Sequence, residues 1–152
     1  MSGVVFAPTV SPNTSCDHFG LPVSASTTRI LSSRSATARA FAGGENVFGN
    51  VGQHSPWLSW EELQVADPDV LVLCPCGFTL ERTLVDVSLL QHHPVWHSLQ
   101  AVQNGRVYAI DGNAYLNRSG PRLVESAELL GRVLWGERLG IEVDPAGWKH
   151  IA

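Results

Sequence analysis

The chain has 152 residues, of which 44% are hydrophobic and 16% are charged, a size and composition typical of one globular domain with its own core. Its formal net charge is −4 and it has no run of basic residues, which excludes a nucleic-acid-binding surface of the usual basic kind. No apolar run approaches the roughly 18 residues of a membrane span, so no transmembrane helix is expected.

The first 41 residues are rich in Ser and Arg and poor in acids. They lack the apolar stretch behind a charged start that marks a secretory signal peptide. Three interpretations stay open: an organellar transit peptide, a poorly ordered or degenerate start of the domain, or a short strand at 4–7 and a helix around 28–42 that belong to it. We place the boundary of the well-patterned domain at 42–152.

The next segment predicts a helix, a buried strand and a second helix. Ser59 followed by Glu61 and Glu62 is typical of an N-cap with acids in the first helical turn. Asp67-Pro68-Asp69 ends this helix. The continuous apolar run 70–73 predicts a strand buried on both faces. A loop at 74–77 then precedes a helix over about 79–90.

A second strand and two further helices follow. The pattern predicts a short helix over 95–102 that Asn104-Gly105 ends, a strand over 106–110, and a turn at 111–113. The last helix is predicted to start at Pro121 and to pair Glu128 with Arg132. Its apolar face is expected to comprise Leu123, Ala127, Leu130 and Leu134.

Strands that alternate with helices predict an α/β fold with a parallel sheet. In such sheets, ligands bind beyond the carboxyl ends of the strands. Two loops follow the two strands here, over 74–78 and 111–120. We therefore expect these loops to lie side by side at a functional edge.

A zinc site and a catalytic cysteine are the two alternatives that the cysteines and histidines raise. Cys74 and Cys76 are separated by a single residue, which is the wrong spacing for a structural zinc site. His92 and His93 are more simply surface residues. Cys76 follows a buried strand near a helix start, where its thiol pKa could be lowered, but such a cysteine is more often a small buried filler. We predict neither catalytic residues nor a metal site.

The aromatic residues give the more informative pattern. Trp57, Phe78 and Tyr115 fall in predicted loops, and loop aromatics commonly line sites for large ligands with apolar faces. The alternative is that each packs on its own domain. Trp96 and Trp135, on predicted helices, are expected in the core or in interdomain packing.

A family resemblance runs through about residues 42–137. The chain resembles the C-terminal lobe of the vitamin B12 and iron-siderophore substrate-binding proteins of ABC transporters, which are class III periplasmic binding proteins. The segments Pro75-Cys76-Gly77-Phe78 and Arg118-x-Gly120-Pro121-Arg122 look most like the cobalamin-binding branch. Further segments that carry the resemblance are Ala42-Gly43-Gly44-Glu45-Asn46-Val47-Phe48, Ser59-Trp60-Glu61-Glu62-Leu63, Asp67-Pro68-Asp69-Val70-Leu71-Val72, Leu99-x-Ala101-Val102-x-Asn104-Gly105-Arg106-Val107-Tyr108 and Asp111-Gly112-Asn113-x-Tyr115-x-Asn117-Arg118.

The resemblance implies a binding module rather than an enzyme. Such proteins have two three-layer α/β lobes joined by a rigid helix, hold the ligand between the lobes, and deliver it to an ABC permease in the membrane. An N-terminal lobe is not recognisable here. The implied location is periplasmic or extracytoplasmic. No cofactor is implied, since cobalamin or another corrinoid is the transported ligand.

The resemblance also assigns ligand contacts. Tyr115 takes the place of the aromatic that packs on the corrin, Trp57 lies near a second cleft aromatic, and Phe78 sits in the loop at the cleft edge. Asn117 and Arg118 are expected to meet the amide rim of the ligand. Arg122 is interpreted as structural, pairing near the start of its helix. The alternatives are a non-binding interaction or scaffold domain that keeps the fold, and a ferric-siderophore binder.

Overall fold

The structure is a computed structural model that describes residues 3–7, 21–22, 45–48, 57–75, 77–116 and 122–152. Its strands are β1 Gly3–Ala7, β2 Leu21–Pro22, β3 Glu45–Asn46, β4 Trp57–Leu58, β5 Val70–Leu73, β6 Val107–Ile110 and β7 Trp148–His150. Its α-helices are α1 Trp60–Ala66, α2 Leu80–Leu90, α3 Gln100–Gln103 and α4 Leu123–Trp135. Within these ranges no helix has the length and apolarity needed to cross a membrane.

A sheet with the order β3-β1-β5-β6-β7 forms the centre of the described part of the chain. Strands β3, β1, β5 and β6 are parallel, while β7 runs antiparallel to β6 at the edge. The α/β fold with a parallel sheet is thus confirmed, with one antiparallel edge strand that its short Trp-Lys-His sequence did not predict. The strand considered at 4–7 is present as part of β1, and the helix considered at 28–42 lies outside the described residues.

The two faces of the sheet each carry a hydrophobic cluster, which gives three layers. Alternate residues of β5 point to opposite faces, as the two-residue period of a strand requires. Leu71 and Leu73 pack with α1, α2 and α3, and Val70 and Val72 pack with α4. All four are buried, which explains why β5 has an uninterrupted apolar sequence.

The predicted helix signals around α1 are confirmed. The Ser59 hydroxyl accepts a hydrogen bond from the backbone N–H of Glu62 (3.2 Å), and the Glu62 carboxylate accepts one from the N–H of Ser59 (2.7 Å). Asp67 ends the helix in the left-handed region, with φ 37°. Its carboxylate also accepts a hydrogen bond from the N–H of Gln100 (2.7 Å), which ties the end of α1 to the start of α3.

The continuous helix predicted over 95–102 is wrong. A short 3₁₀ turn, Trp96–Ser98, is followed by Leu99 in an extended conformation, and α3 begins only afterwards. Leu99 is fully buried, so core packing of its side chain overrides local helix preference. Trp96 is in the core as expected. His93 is not a simple surface residue, because its ring is half-buried and stacks on Trp60 with 4.0 Å between centroids.

Helix α4 differs from its prediction in its pairing and in its buried face. Arg132 pairs with Glu137 at 3.1 Å on the turn that follows the helix, so the expected pair with Glu128 is wrong. The helix begins at Leu123, and the proposed start at Pro121 lies outside the described residues. The buried face of α4 is rotated relative to the predicted one, although Leu130 and Leu134 belong to both. Its buried residues are Ser126, Leu129, Leu130, Gly131, Val133 and Leu134.

Candidate functional site

The loops after β5 and β6 are in direct contact. Gly112 lies so close to the first loop that a Cβ built on it would be 2.2 Å from the carbonyl oxygen of Pro75. The backbone N–H of Asn113 donates a hydrogen bond to the carbonyl oxygen of Phe78 (3.2 Å), and the N–H of Phe78 donates one to that of Pro75 (3.2 Å). These contacts confirm the expectation that the two loops lie side by side at the carboxyl edge of the sheet.

Phe78 stands at this edge as a partly exposed aromatic ring. It is half-buried, and the guanidinium carbon of Arg82 lies 5.3 Å from the ring centroid, within cation–π distance. Arg82 also pairs with Asp86 at 3.1 Å, which holds the guanidinium at the start of α2. The arrangement fixes the ring while leaving part of its apolar surface open to a ligand.

Asp86 is a buried carboxylate beneath this arginine. One of its oxygens, Oδ2, has no hydrogen-bond partner among the described residues. Burial raises the pKa of the Asp86 carboxyl, and the neighbouring Arg82 charge opposes that shift. The ion pair therefore holds Arg82 against Phe78, but burying the Asp86 carboxylate costs part of its solvation free energy.

Tyr115, which was expected to contact the ligand as a loop aromatic, is packed inward with 9% of its surface exposed. It belongs to a single π-helical turn, Gly112–Leu116, and its carbonyl oxygen accepts a hydrogen bond from the Ser126 hydroxyl (2.5 Å). Its ring lies against Gly147, where an added Cβ would be 2.2 Å from Cε2. The tight turn draws the ring between α4 and the segment before β7.

The edge of Tyr115 borders a small cavity of about 190 Å³ at the start of α4. Arg122 pairs there with Glu125 at 3.8 Å, as its structural interpretation predicted, although both side chains are more than half exposed. Burial raises the pKa of the Tyr115 phenol, and the Asp144 carboxylate raises it further. The phenol therefore stays protonated near neutral pH and can donate a hydrogen bond.

The remaining predicted residues are placed only in part. Trp57 lies in β4 opposite Pro22, but its side chain is outside the described part of the structure. Asn117, Arg118 and Cys76 also lie outside the described residues, so their roles stay predictions. Cys74 is buried. In the described ranges, no group of three or more His, Cys, Asp or Glu residues is arranged to hold a metal ion.

Gly112 and Gly147 are the site residues that sequence reasoning missed. The sequence indicates a turn at Gly112, but not that the position where its Cβ would stand is occupied by the backbone of the other loop. Gly147 stands next to the last strand, far from Tyr115 in sequence. The available signal for Gly112 was a glycine two residues after a buried strand, within an Asp-Gly-Asn triplet. No local signal existed for Gly147.

Comparison with known proteins identifies the family to which this fold and edge belong. Residues 32–114, more than half of the chain, match the family model described as periplasmic binding protein. The chain belongs to this family. Its members are solute-binding proteins rather than enzymes. The curated proteins compared with the chain include no match.

Solved structures of periplasmic and ABC-transporter binding proteins share the fold. An ABC transporter substrate-binding protein from Listeria monocytogenes aligns with a TM-score of 0.66 and 20% identity over 88% of this chain and 47% of its own. A periplasmic heme binding protein from Pseudomonas aeruginosa aligns at 0.56 and 18%, over 88% and 43%. The periplasmic vitamin B12 binding protein of Vibrio cholerae aligns at 0.53 and 20%, over 88% and 44%. The chain thus spans less than half the length of these proteins, as a single lobe does.

Proposed function

We propose that this chain forms one wall of a solute-binding cleft and captures a corrinoid, with cobalamin as the expected ligand, for an ABC permease. The observation that carries the proposal is the contact between the loops after β5 and β6 in a chain of the periplasmic binding protein family. The joined loops present a continuous edge where parallel sheets bind ligands. The location we propose is periplasmic or otherwise extracytoplasmic, as in the family.

The aromatic contact in this proposal rests mainly on Phe78. Its ring is half-buried, so it offers an apolar face without needing to move, and Arg82 fixes its orientation. Tyr115 would reach a ligand only through the edge that borders the cavity of about 190 Å³. Asn117, Arg118 and Trp57 keep their proposed roles, the first two at the amide rim and the third at a second aromatic contact.

Two sequence segments and one similar structure support cobalamin over other solutes as the ligand, and titrations with several ligands test this choice. The segments at 75–78 and 118–122 resemble the cobalamin branch, and a vitamin B12 binding protein is among the similar structures. A heme binding protein is also among them. Calorimetric titrations of the chain with cobalamin, hemin and a ferric hydroxamate should give heat with cobalamin at high micromolar concentration, because one lobe encloses only part of a ligand. Heat with another ligand alone would reject the corrinoid, and silence with all three would reject ligand capture by this chain.

A matched pair of variants tests the edge itself. Phe78→Ala removes the proposed contact face and should weaken cobalamin binding about tenfold, the effect of losing one buried aromatic contact. Leu89→Ala is the control, because Leu89 is an exposed apolar residue of α2 that follows Phe78 on the same segment. If the two variants bind cobalamin with equal affinity, Phe78 does not contact the ligand.

The alternative function is an interaction or scaffold domain that keeps the fold and binds no solute. An uncovered cleft edge would then associate with another chain through apolar surface. Light scattering of the purified chain separates the two functions: a monomer that binds cobalamin fits the proposed function, and a stable assembly without binding fits the alternative.

A further inference from the structure

A second and larger cavity, of about 390 Å³, lies at the opposite end of the sheet. Arg106 immediately precedes β6, and Trp135 is the last residue of α4, so this cavity opens at the amino ends of the strands. The loops at 74–78 and 111–116 lie at the other end. The cavity is therefore separate from the proposed corrinoid edge, and its volume lies in the range typical of small-molecule sites, about 300–1,000 Å³.

Among the described residues that line this cavity, the charged ones are two arginines, Arg106 and Arg138, and none is a carboxylate. Within the described part of the chain, neither guanidinium is within ion-pair distance of a carboxylate. Glu137, the neighbour of Arg138 in sequence, forms its ion pair with Arg132 instead. These two arginines give the cavity a local charge of +2, although the chain as a whole has a formal net charge of −4. The local positive charge favours binding of an anion.

One of these arginines is held in place by the backbone. The Nη2 of Arg106 donates a 2.6 Å hydrogen bond to the carbonyl oxygen of Leu134, near the end of α4. A guanidinium has five N–H donors, so several remain for a ligand. Because the group is already anchored and half-buried, binding an anion would require little further ordering of its side chain.

Aromatic and aliphatic surfaces complete the cavity wall. Tyr108 and Trp135 line it beside Val133, a core residue of α4. The Tyr108 ring also lies beside Trp148, at 6.0 Å between ring centroids, and beside His150, at 5.0 Å. Planar rings beside guanidinium groups suit a ligand that is itself flat and aromatic.

We propose that this cavity binds a planar aromatic anion, whose carboxylate or phosphate group pairs with Arg106 and Arg138 while its ring packs against Tyr108 and Trp135. A guanidinium matches both oxyanions through paired N–H donors. The site is independent of corrinoid capture, because it shares no residue with the loops at the carboxyl edge.

Calorimetric titration with three probes tests the ligand class. Naphthalene-2-carboxylate and 2-naphthyl phosphate carry the charge, and naphthalene-2-carboxamide has the same ring without it. Binding of either anion, at least about tenfold tighter than the amide, is the expected result, since charge-assisted hydrogen bonds are the stronger ones. The tighter of the two anions identifies the oxyanion. Equal binding of all three probes, or no heat from any of them, would overturn the proposal.

Two arginine variants locate the binding. The Arg138 side chain is exposed and has no hydrogen bond or ion pair with another described residue, so Arg138→Gln should fold normally and weaken binding of the tighter anion about tenfold. Arg122→Gln is the matched control, because Arg122 is an exposed arginine at the other end of the sheet. Its affinity should equal that of the wild type. An equal loss in both variants would show only general charge attraction and would overturn the site.

Discussion

The close approach of Gly112 to Pro75 makes the joined loops sensitive to a single methyl group. In Gly112→Ala, the new Cβ would lie 2.2 Å from the Pro75 carbonyl oxygen and 3.2 Å from that of Cys74. These atoms are backbone, so no side-chain rotation can relieve the clash and the loops must separate. Separation would also break the hydrogen bond from Asn113 to Phe78. Overpacking costs about 1–3 kcal/mol and a lost hydrogen bond about 1 kcal/mol, which gives a destabilisation of about 2–4 kcal/mol.

Urea denaturation followed by far-ultraviolet circular dichroism measures this difference in the free energy of unfolding. The matched control is Gly131→Ala, the same substitution inside α4, where the new Cβ meets only the ends of the Leu139 and Ile141 side chains at 3.3 and 3.5 Å. That variant should lie within about 1 kcal/mol of the wild type, because alanine also favours the helix. A Gly112→Ala variant as stable as the control would refute the packing of the two loops.

Three further predictions concern the surroundings of the site. Asp86→Asn should become more stable relative to the wild type as pH rises above about 4. Burial raises the pKa of Asp86 above its ordinary 3.8, so the folded wild type binds more protons than the unfolded chain and loses stability as pH rises from there through the folded-state pKa. Denaturation at several pH values checks this, and a pH-independent difference would contradict it. Gly147→Ala should cost about 1–3 kcal/mol in the wild type but much less in a Tyr115→Ala background, where the clashing ring is gone; equal costs in both backgrounds would deny the contact. Ser59→Ala should cost about 1 kcal/mol by removing the cap of α1, and an unchanged urea midpoint would show that the cap contributes nothing.

The sequence predicted those parts of the fold that depend on local pattern. The run at 70–73, the cap at Ser59 and the stop at Asp67 each have a physical signal within a few residues, and all three are confirmed. Two other features have no such local signal. The helix break at Leu99 is decided by burial of that side chain in the core, and the Arg132–Glu137 pair by the turn that follows α4. The edge strand β7 is too short for its alternation to be readable.

The candidate site was predicted in position more fully than in orientation. The rule for carboxyl ends of parallel strands placed the two loops together, and Gly112 shows how closely they meet. The direction of the Tyr115 ring depends on a π-helical turn and on Gly147, which stands 32 residues later in the numbering. Neither is visible in a local pattern, so an aromatic that the sequence favoured as an exposed contact is packed inward.

A two-dimensional ¹H–¹⁵N NMR titration of the labelled chain with cobalamin locates the bound ligand residue by residue. Binding of cobalamin at the carboxyl edge predicts chemical-shift changes concentrated in the two loops, at 77–78 and 111–116, with Arg106 and Arg138 at the other end of the sheet unaffected. Shifts confined to the amino end of the sheet, or spectra unchanged at high micromolar cobalamin, would contradict it.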